Sequence, residues 1–195
     1  MKPALLVIDC QYDFFNGASP YQCEMLDASL VARIRELIGF SRERGVPVVY
    51  TQHSIEPDKS NAEFGEPEDV RACIVGTEGW EIIDELKPRP GEAVIRKDKY
   101  DAFYGTNLEE VLRALGADTL ILCGVLTNNC IRATAEGAHY RGFKLFVVSD
   151  STGATSYLPE RSPEEIHDVT LRDLKERMYE THVVTFEELK NLIAE

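Results

Sequence analysis

TLILCGVLTNNCIRATAEGAHYRGFKLFVVSD, residues 119–150, runs from strand through turn and helix to a second strand. Its two ends, 119–124 and 144–150, are short and nearly all apolar, and each stops at Gly or Asp. That is the pattern of strands buried on both faces, and a helix joining two such strands implies a parallel pair with a right-handed crossover. The same reading extends along the chain. ALLVID (4–9) and VPVVYT (46–51) are further apolar runs, and AVIRK (93–97) and THVVT (181–185) are weaker, β-branched candidates. Helical spacing lies between them. Leu30, Val31, Ile34, Leu37 and Ile38 recur on one face, with Asp27 as N-cap and Gly45 just past the end. TNLEEVLRALGA offers Thr106 or Asn107 as cap and Gly116 as stop, and Ser162, Pro163 and Glu165 form a capping-box signature. Strand alternating with helix predicts an α/β fold: a three-layer αβα arrangement around a six-stranded, mainly parallel sheet, in one domain over residues 1–195. The segment 52–92 is too long for a plain connection and is expected to shape a site.

Composition narrows the function. A formal net charge of −13, with no block of Lys or Arg, disfavours nucleic acid and anionic lipid as partners, so a small-molecule substrate is expected. The apolar stretch in MKPALLVIDCQYDF is too short for a secretory leader, and no window approaches a membrane span, so a soluble cytoplasmic protein is expected. Five cysteines, Cys10, Cys23, Cys73, Cys123 and Cys130, make neither a disulfide framework nor a CxxC pair.

In open parallel sheets ligands bind beyond the carboxyl ends of the strands, where strand order reverses. Asp9 ends the first strand, Lys97 the third, and Cys130 follows the fourth. Taken singly, Asp9 could cap a loop, Lys97 could be a solvated charge and Cys130 a small core residue. Together they make a carboxylate, an ammonium and a thiol at one crevice. A helix N-terminus and a nearby cation would lower the Cys130 pKa, while burial would raise that of Asp9 enough to hold a proton near neutrality. The turn GVLTNN, 124–129, supplies backbone N–H groups for an oxyanion. None of His53, His139, His167 and His182 stands in a partner motif, which leaves a Cys-His hydrolase little support.

Three separated motifs now carry a resemblance: D-x-Q-x-D-F at 9–14, K-x-x-Y-x-A-F at 97–103 and G-V-x-T-N-x-C at 124–130. From residue 4 to about 155 the chain resembles the isochorismatase-like cysteine hydrolases, which include nicotinamidases, N-carbamoylsarcosine amidase, ureidoacrylate and biuret hydrolases, and isochorismatase. The resemblance implies a catalytic triad of Asp9, Lys97 and Cys130. It implies a cis bond between Val125 and Leu126, an oxyanion hole from the amides of Leu126 and Cys130, and a homo-oligomer, dimer or tetramer. It also departs from the pattern of metal-dependent nicotinamidases: YTQHSIEPDKSNAEFG, 50–65, has His53 and Asp58 but no Asp-x-His. Neither a metal nor any other cofactor is therefore expected.

The expected function is hydrolysis of a C–N bond in a small amide, N-carbamoyl or ureido substrate, with a thioester on Cys130. The alternatives are vinyl ether hydrolysis of the isochorismatase type, a metal-dependent nicotinamidase, and a non-enzymatic binding or redox-sensing domain. Gln11, Phe14, Tyr21, Trp80, Phe103 and Tyr104 are candidate substrate contacts, against a competing reading as core or interface packing. Arg96, Arg132 and Arg161 are available for a substrate carboxylate, and nothing in the sequence chooses among them.

Overall fold

The computed structural model describes residues 1–15, 21–62 and 72–193. Its elements run β1 (Pro3–Ile8), α1 (Tyr12–Phe15), α2 (Ala28–Glu43), β2 (Val48–His53), β3 (Ala93–Lys97), α3 (Leu108–Ala114) and β4 (Thr119–Val125), followed by α4 (Arg132–Tyr140), β5 (Lys144–Gly153), α5 (Pro163–Arg177), β6 (Thr181–Val184) and α6 (Phe186–Ile193). Among the described residues the strands form one six-stranded sheet in the order β3-β2-β1-β4-β5-β6, and every pairing is parallel. The chain winds outward through β2 and β3, returns to β4 beside β1, then winds out the other way. The switch point is therefore between β1 and β4.

Alternation along the strands divides the core into two. Leu5, Val7, Ile121, Cys123, Phe146 and Val148 point to one face, where Leu30, Ile34 and Leu37 of α2 and Phe186 and Leu189 of α6 cover them. Leu6, Ile8, Leu120, Leu122, Leu145 and Val147 point to the other, under Leu108 and Leu112 of α3, Ala135 and Ala138 of α4, and Leu171 and Leu174 of α5. Both faces are dry, which is why the central strands carry apolar residues at successive positions instead of every second one.

Helix ends follow their local chemistry. Asp27 accepts from the Leu30 amide, and Ser162 and Glu165 close a reciprocal capping box at the start of α5. At α3 the Asn107 side chain makes no capping bond; the Thr106 hydroxyl accepts from the Leu108 amide and donates to the Ala102 carbonyl. The connection expected as one long loop is partly built. Ile55 and Ile74 form a bridge, and short 3₁₀ turns cover Glu78–Trp80 and Asp84–Leu86. Residues 63–71 of it lie outside the described residues. No helix among the described residues is long and apolar enough to cross a membrane.

Candidate active site

The site begins where β1 and β4 part. Ile8 pairs with Gly124, whose φ is +109°, and a Cβ built on Gly124 would lie 2.1 Å from the Ile8 carbonyl oxygen. Only glycine lets the strands touch here. One residue further, Asp9 turns out of β1 with φ +49°, a left-handed conformation uncommon for a non-glycine residue. Thr51 of β2 fixes it from the side. The Thr51 hydroxyl accepts from the Asp9 amide at 3.2 Å and donates to Asp9 Oδ1 at 2.6 Å.

Lys97 is the last residue of β3 and pairs in register with His53. Its Nζ lies 2.7 Å from Asp9 Oδ2, and both side chains have no solvent exposure. The same ammonium donates to the Lys99 carbonyl at 3.0 Å and to Cys130 Sγ at 3.3 Å, with His53 Nδ1 at 3.5 Å. Cys130 itself does not open an α-helix, as the sequence reading expected. It stands in a π-helical turn, Thr127–Ile131, in which the Ile131 amide reaches back to the Leu126 carbonyl, and α4 begins only at Arg132. The Val125–Leu126 peptide bond is cis.

The electrostatics reverse two expectations. Burial pushes the Asp9 carboxyl up, but Lys97 and the hydrogen bond from Thr51 oppose it and hold it below the usual carboxylate range. Burial pushes the Cys130 thiol up to about 12; Lys97 pulls the other way without prevailing. Burial is the larger effect, and the Asp9 carboxylate beside the thiol adds to it; the ammonium the thiol touches is half of an ion pair. Burial disfavours the charge on Lys97, but Asp9 and Cys130 restore it and carry its pKa above the ordinary value. His53, desolvated and beside Lys97, falls to about 3 and is neutral near pH 7. The resting site is thus carboxylate, ammonium and thiol.

A pocket opens over the sulfur, lined by Phe14, Tyr21, His53, Tyr100, Asn129 and Cys130 together with Ile55, Ala72 and Leu126. Phe14 and Tyr21 stand where the sequence reading put them. The other proposed contacts do not line it. The Gln11 amide is used up on backbone, donating to the carbonyls of His53 and Trp80 and accepting from the His53 amide, so it clips the ends of β1 and β2 together. Trp80 donates its indole N–H to Ser54 and lies under the Arg96 guanidinium. Phe103 packs on Phe143 in the core, and Tyr104 is exposed. Arg132 pairs with Glu136 and Asp173, Arg161 is exposed, and neither lines the pocket. Asp58 accepts from the Ser60 amide, away from the His53 imidazole that faces Lys97. Among the described residues no three His, Cys, Asp or Glu side chains are arranged to hold a metal ion.

His53, Tyr100 and Asn129 were missed. Tyr100 stood inside K-x-x-Y-x-A-F, and His53 ends β2, so the strand-end rule that found Asp9 and Lys97 would have reached it.

The Isochorismatase domain model matches residues 3–188. The chain belongs to the isochorismatase family. Nicotinamidase 3 of Arabidopsis thaliana is 32% identical over 174 residues, 88% of this chain and 79% of that one. Ureidoacrylate amidohydrolase RutB of Methylorubrum extorquens is 28% identical over 192 residues, covering 88% and 75%. Among solved structures, N-carbamoylsarcosine amidase from Thermoplasma acidophilum superposes with a TM-score of 0.73 at 32% identity, covering 95% of this chain and 96% of that one. This member of the isochorismatase family is a hydrolase with the α/β architecture of its relatives.

Proposed function

We propose that this hydrolase cleaves the C–N bond of a small amide, N-carbamoyl or ureido substrate through a thioester on Cys130. The observation that carries the reading is the dry contact of one ammonium with both partners: Lys97 Nζ sits 2.7 Å from the Asp9 carboxylate and 3.3 Å from the sulfur of Cys130, which lines a pocket.

As the sulfur attacks the substrate carbonyl, its proton passes to Asp9. The exchange turns carboxylate and thiol into carboxyl and thiolate, so the charge of the buried site does not change and no ion has to be desolvated. Lys97 stays in place and serves whichever partner is negative. The amides of Leu126 and Cys130 receive the carbonyl oxygen as it gains charge, a contribution of roughly 3 to 4 kcal/mol per donor. Collapse breaks the C–N bond, and Asp9 returns the proton to the departing nitrogen. Water then gives a proton to Asp9 and attacks the thioester carbon; the C–S bond breaks, and Asp9 reprotonates the sulfur. The sum is amide plus water to acid plus amine. The aromatic walls Phe14, Tyr21 and Tyr100 suit a small flat acyl group.

Ammonia release from nicotinamide, N-carbamoylsarcosine, ureidoacrylate, biuret and maleamate, measured with wild type and Cys130→Ala after chelation, tests this. Release by wild type alone is expected. Equal release by both, or silence from folded wild type on every compound, would overturn it.

A further inference from the structure

Three consecutive residues of the cysteine turn are tied to the segment that follows β5. Thr127 Oγ1 meets His167 Nδ1 of α5 at 2.9 Å. Asn128 donates to the Thr155 carbonyl at 3.1 Å and accepts from the Thr155 amide at 3.4 Å. Asn129 donates to the Tyr157 hydroxyl at 2.7 Å. The three ties differ in setting. Tyr157 is half exposed, whereas Thr127 has no solvent exposure and His167 only 6%.

His167 is a buried titratable group for which the proposed chemistry has no use. It needs a reason for being dry, because an imidazole out of water must satisfy both ring nitrogens. It does so across the fold: one contact is Thr127, the other is the backbone of Ser149, midway along β5. Burial lowers its pKa, so the neutral ring is the resting form. A ring N–H given to Ser149 leaves Nδ1 to accept the Thr127 hydroxyl proton. Thr127 lies between Leu126 and Cys130, the two pocket residues whose amides the proposed chemistry uses, next to the first and three before the second. The amides of Asn129 and Ile131 both return to the Leu126 carbonyl, and the Arg132 amide to the carbonyls of Thr127 and Asn129, so Thr127 stands at the hinge of the turn.

We propose that His167 is a positioning residue for the hydrolysis: through Thr127 it holds the turn that presents the Cys130 sulfur and the two amides in one geometry. The inference rests on the proposed cysteine chemistry for its kinetic consequence, but the positioning itself can be read without any substrate. A misplacement of about 1 Å in such a constellation costs on the order of a hundredfold in rate.

The test compares His167→Leu, which removes the acceptor, His167→Asn, which keeps one near the Nδ1 position, and Thr127→Val, which removes the hydroxyl at nearly constant volume. Two readouts are taken on folded protein. One is the rate of Cys130 alkylation by iodoacetamide across pH 7 to 10, assigned by peptide mass mapping; the other is kcat and KM on whichever amide wild type cleaves. His167→Leu and Thr127→Val are expected to lower kcat about tenfold or more with KM little changed, and to shift the alkylation profile. His167→Asn is expected to return both to near the wild-type values. The double variant should be no worse than either single one, because both break one contact. If Thr127→Val and His167→Leu leave the alkylation profile unmoved, or their effects multiply, or His167→Asn fails to rescue, His167 is only a packing residue and the proposal is wrong. Should wild type cleave no amide, the function proposed above fails, and the alkylation profiles still decide the positioning role.

Discussion

Among the ion pairs that join distant parts of the described chain, Arg42–Glu92 and Asp9–Lys97 are built differently. Arg42 of α2 grips Glu92, just before β3, with two parallel bonds of 2.7 and 2.8 Å, and the side chains keep 18% and 15% of their exposure. Its remaining capacity is spent nearby: Arg42 also meets the Tyr50 hydroxyl, and Glu92 accepts from the Arg89 amide. Asp9 and Lys97 meet by a single contact in a place with no exposure, and Lys97 extends a further bond to a thiol. The first pair closes on itself and clamps a helix to the sheet edge. The second is left open toward a third group, and a charge in a dry site with an unclosed arrangement is what proton transfer needs. The difference predicts which pair the protein will miss more.

Lys97→Met gives the largest effect. Breaking a buried pair from one side strands a charge and costs about 3 to 5 kcal/mol, whereas hydrolysis should vanish altogether. The pH dependence should also change sign. In wild type the depressed Asp9 pKa contributes stability that is complete above the unfolded value of about 3.9 and is lost only as pH falls through the lower folded value, so it gives no slope between pH 5 and 8. Without the ammonium, burial raises the Asp9 pKa, and the variant should gain stability relative to wild type as pH falls from 8 to 5. Urea unfolding at both pH values reads this; a constant difference between the two proteins would break the contrast.

The alkylation profile of unmodified Cys130 comes next. A thiol pushed up to about 12 is protonated through the working range, so its rate should climb about tenfold per pH unit from 8 to 10, about a hundredfold in all. A plateau above pH 7 would show a thiolate already paired with Lys97, and would make the dry site more like the closed pair.

How much of this was legible beforehand follows the physics of each feature. Runs such as 119–124 and 144–150 showed the layers because two buried faces leave no polar alternation, and the ends of those runs located Asp9, Lys97 and Cys130. Direction of side chains was not legible. Phe103 and Tyr100 stand three residues apart in one segment, yet Phe103 turns into the core and Tyr100 into the pocket. Gln11 stands in a recognised motif, but its role is set by two carbonyls brought there by β2 and the 3₁₀ turn at Trp80. The signs of the pKa shifts were misjudged for the same reason. At Asp9 the ammonium outweighs burial and at Cys130 burial outweighs the ammonium, and which of them wins is a matter of ångströms and not of spacing along a chain.

Gly124→Ala probes the frame beneath the dry pair without touching a charge. The new Cβ would press on the Ile8 carbonyl from 2.1 Å, and a φ of +109° strains any other residue. Overpacking of this kind costs about 1 to 3 kcal/mol or more. Because Asp9 follows Ile8 and the cysteine turn follows Val125, separation of β1 from β4 should reduce activity beyond what the loss of stability explains, with no change in the contribution of Arg42 and Glu92.

Arg42→Met is the smallest change and completes the comparison. The methionine keeps most of the apolar stem that lies along α2, so what disappears is the guanidinium and its bonds to Glu92 and Tyr50. A partly exposed pair of good geometry contributes about 1 kcal/mol or less, since water takes over the carboxylate that is left. Burial pushes the Glu92 carboxyl up, but Arg42 and the Arg89 amide outweigh it and lower its pKa, so the pair's contribution is complete above the unfolded value of about 4.3 and fades as pH falls below it. The stability gap between wild type and variant, measured by urea unfolding, should therefore hold constant from pH 8 to 5 and narrow only below about pH 4.3, whereas the gap that the stranded Asp9 of Lys97→Met opens narrows already between pH 8 and 5. Alkylation of Cys130 should not change. If it does, the clamp on α2 reaches the strand ends through β2, and the two pairs are one coupled system instead of a wet support and a dry site.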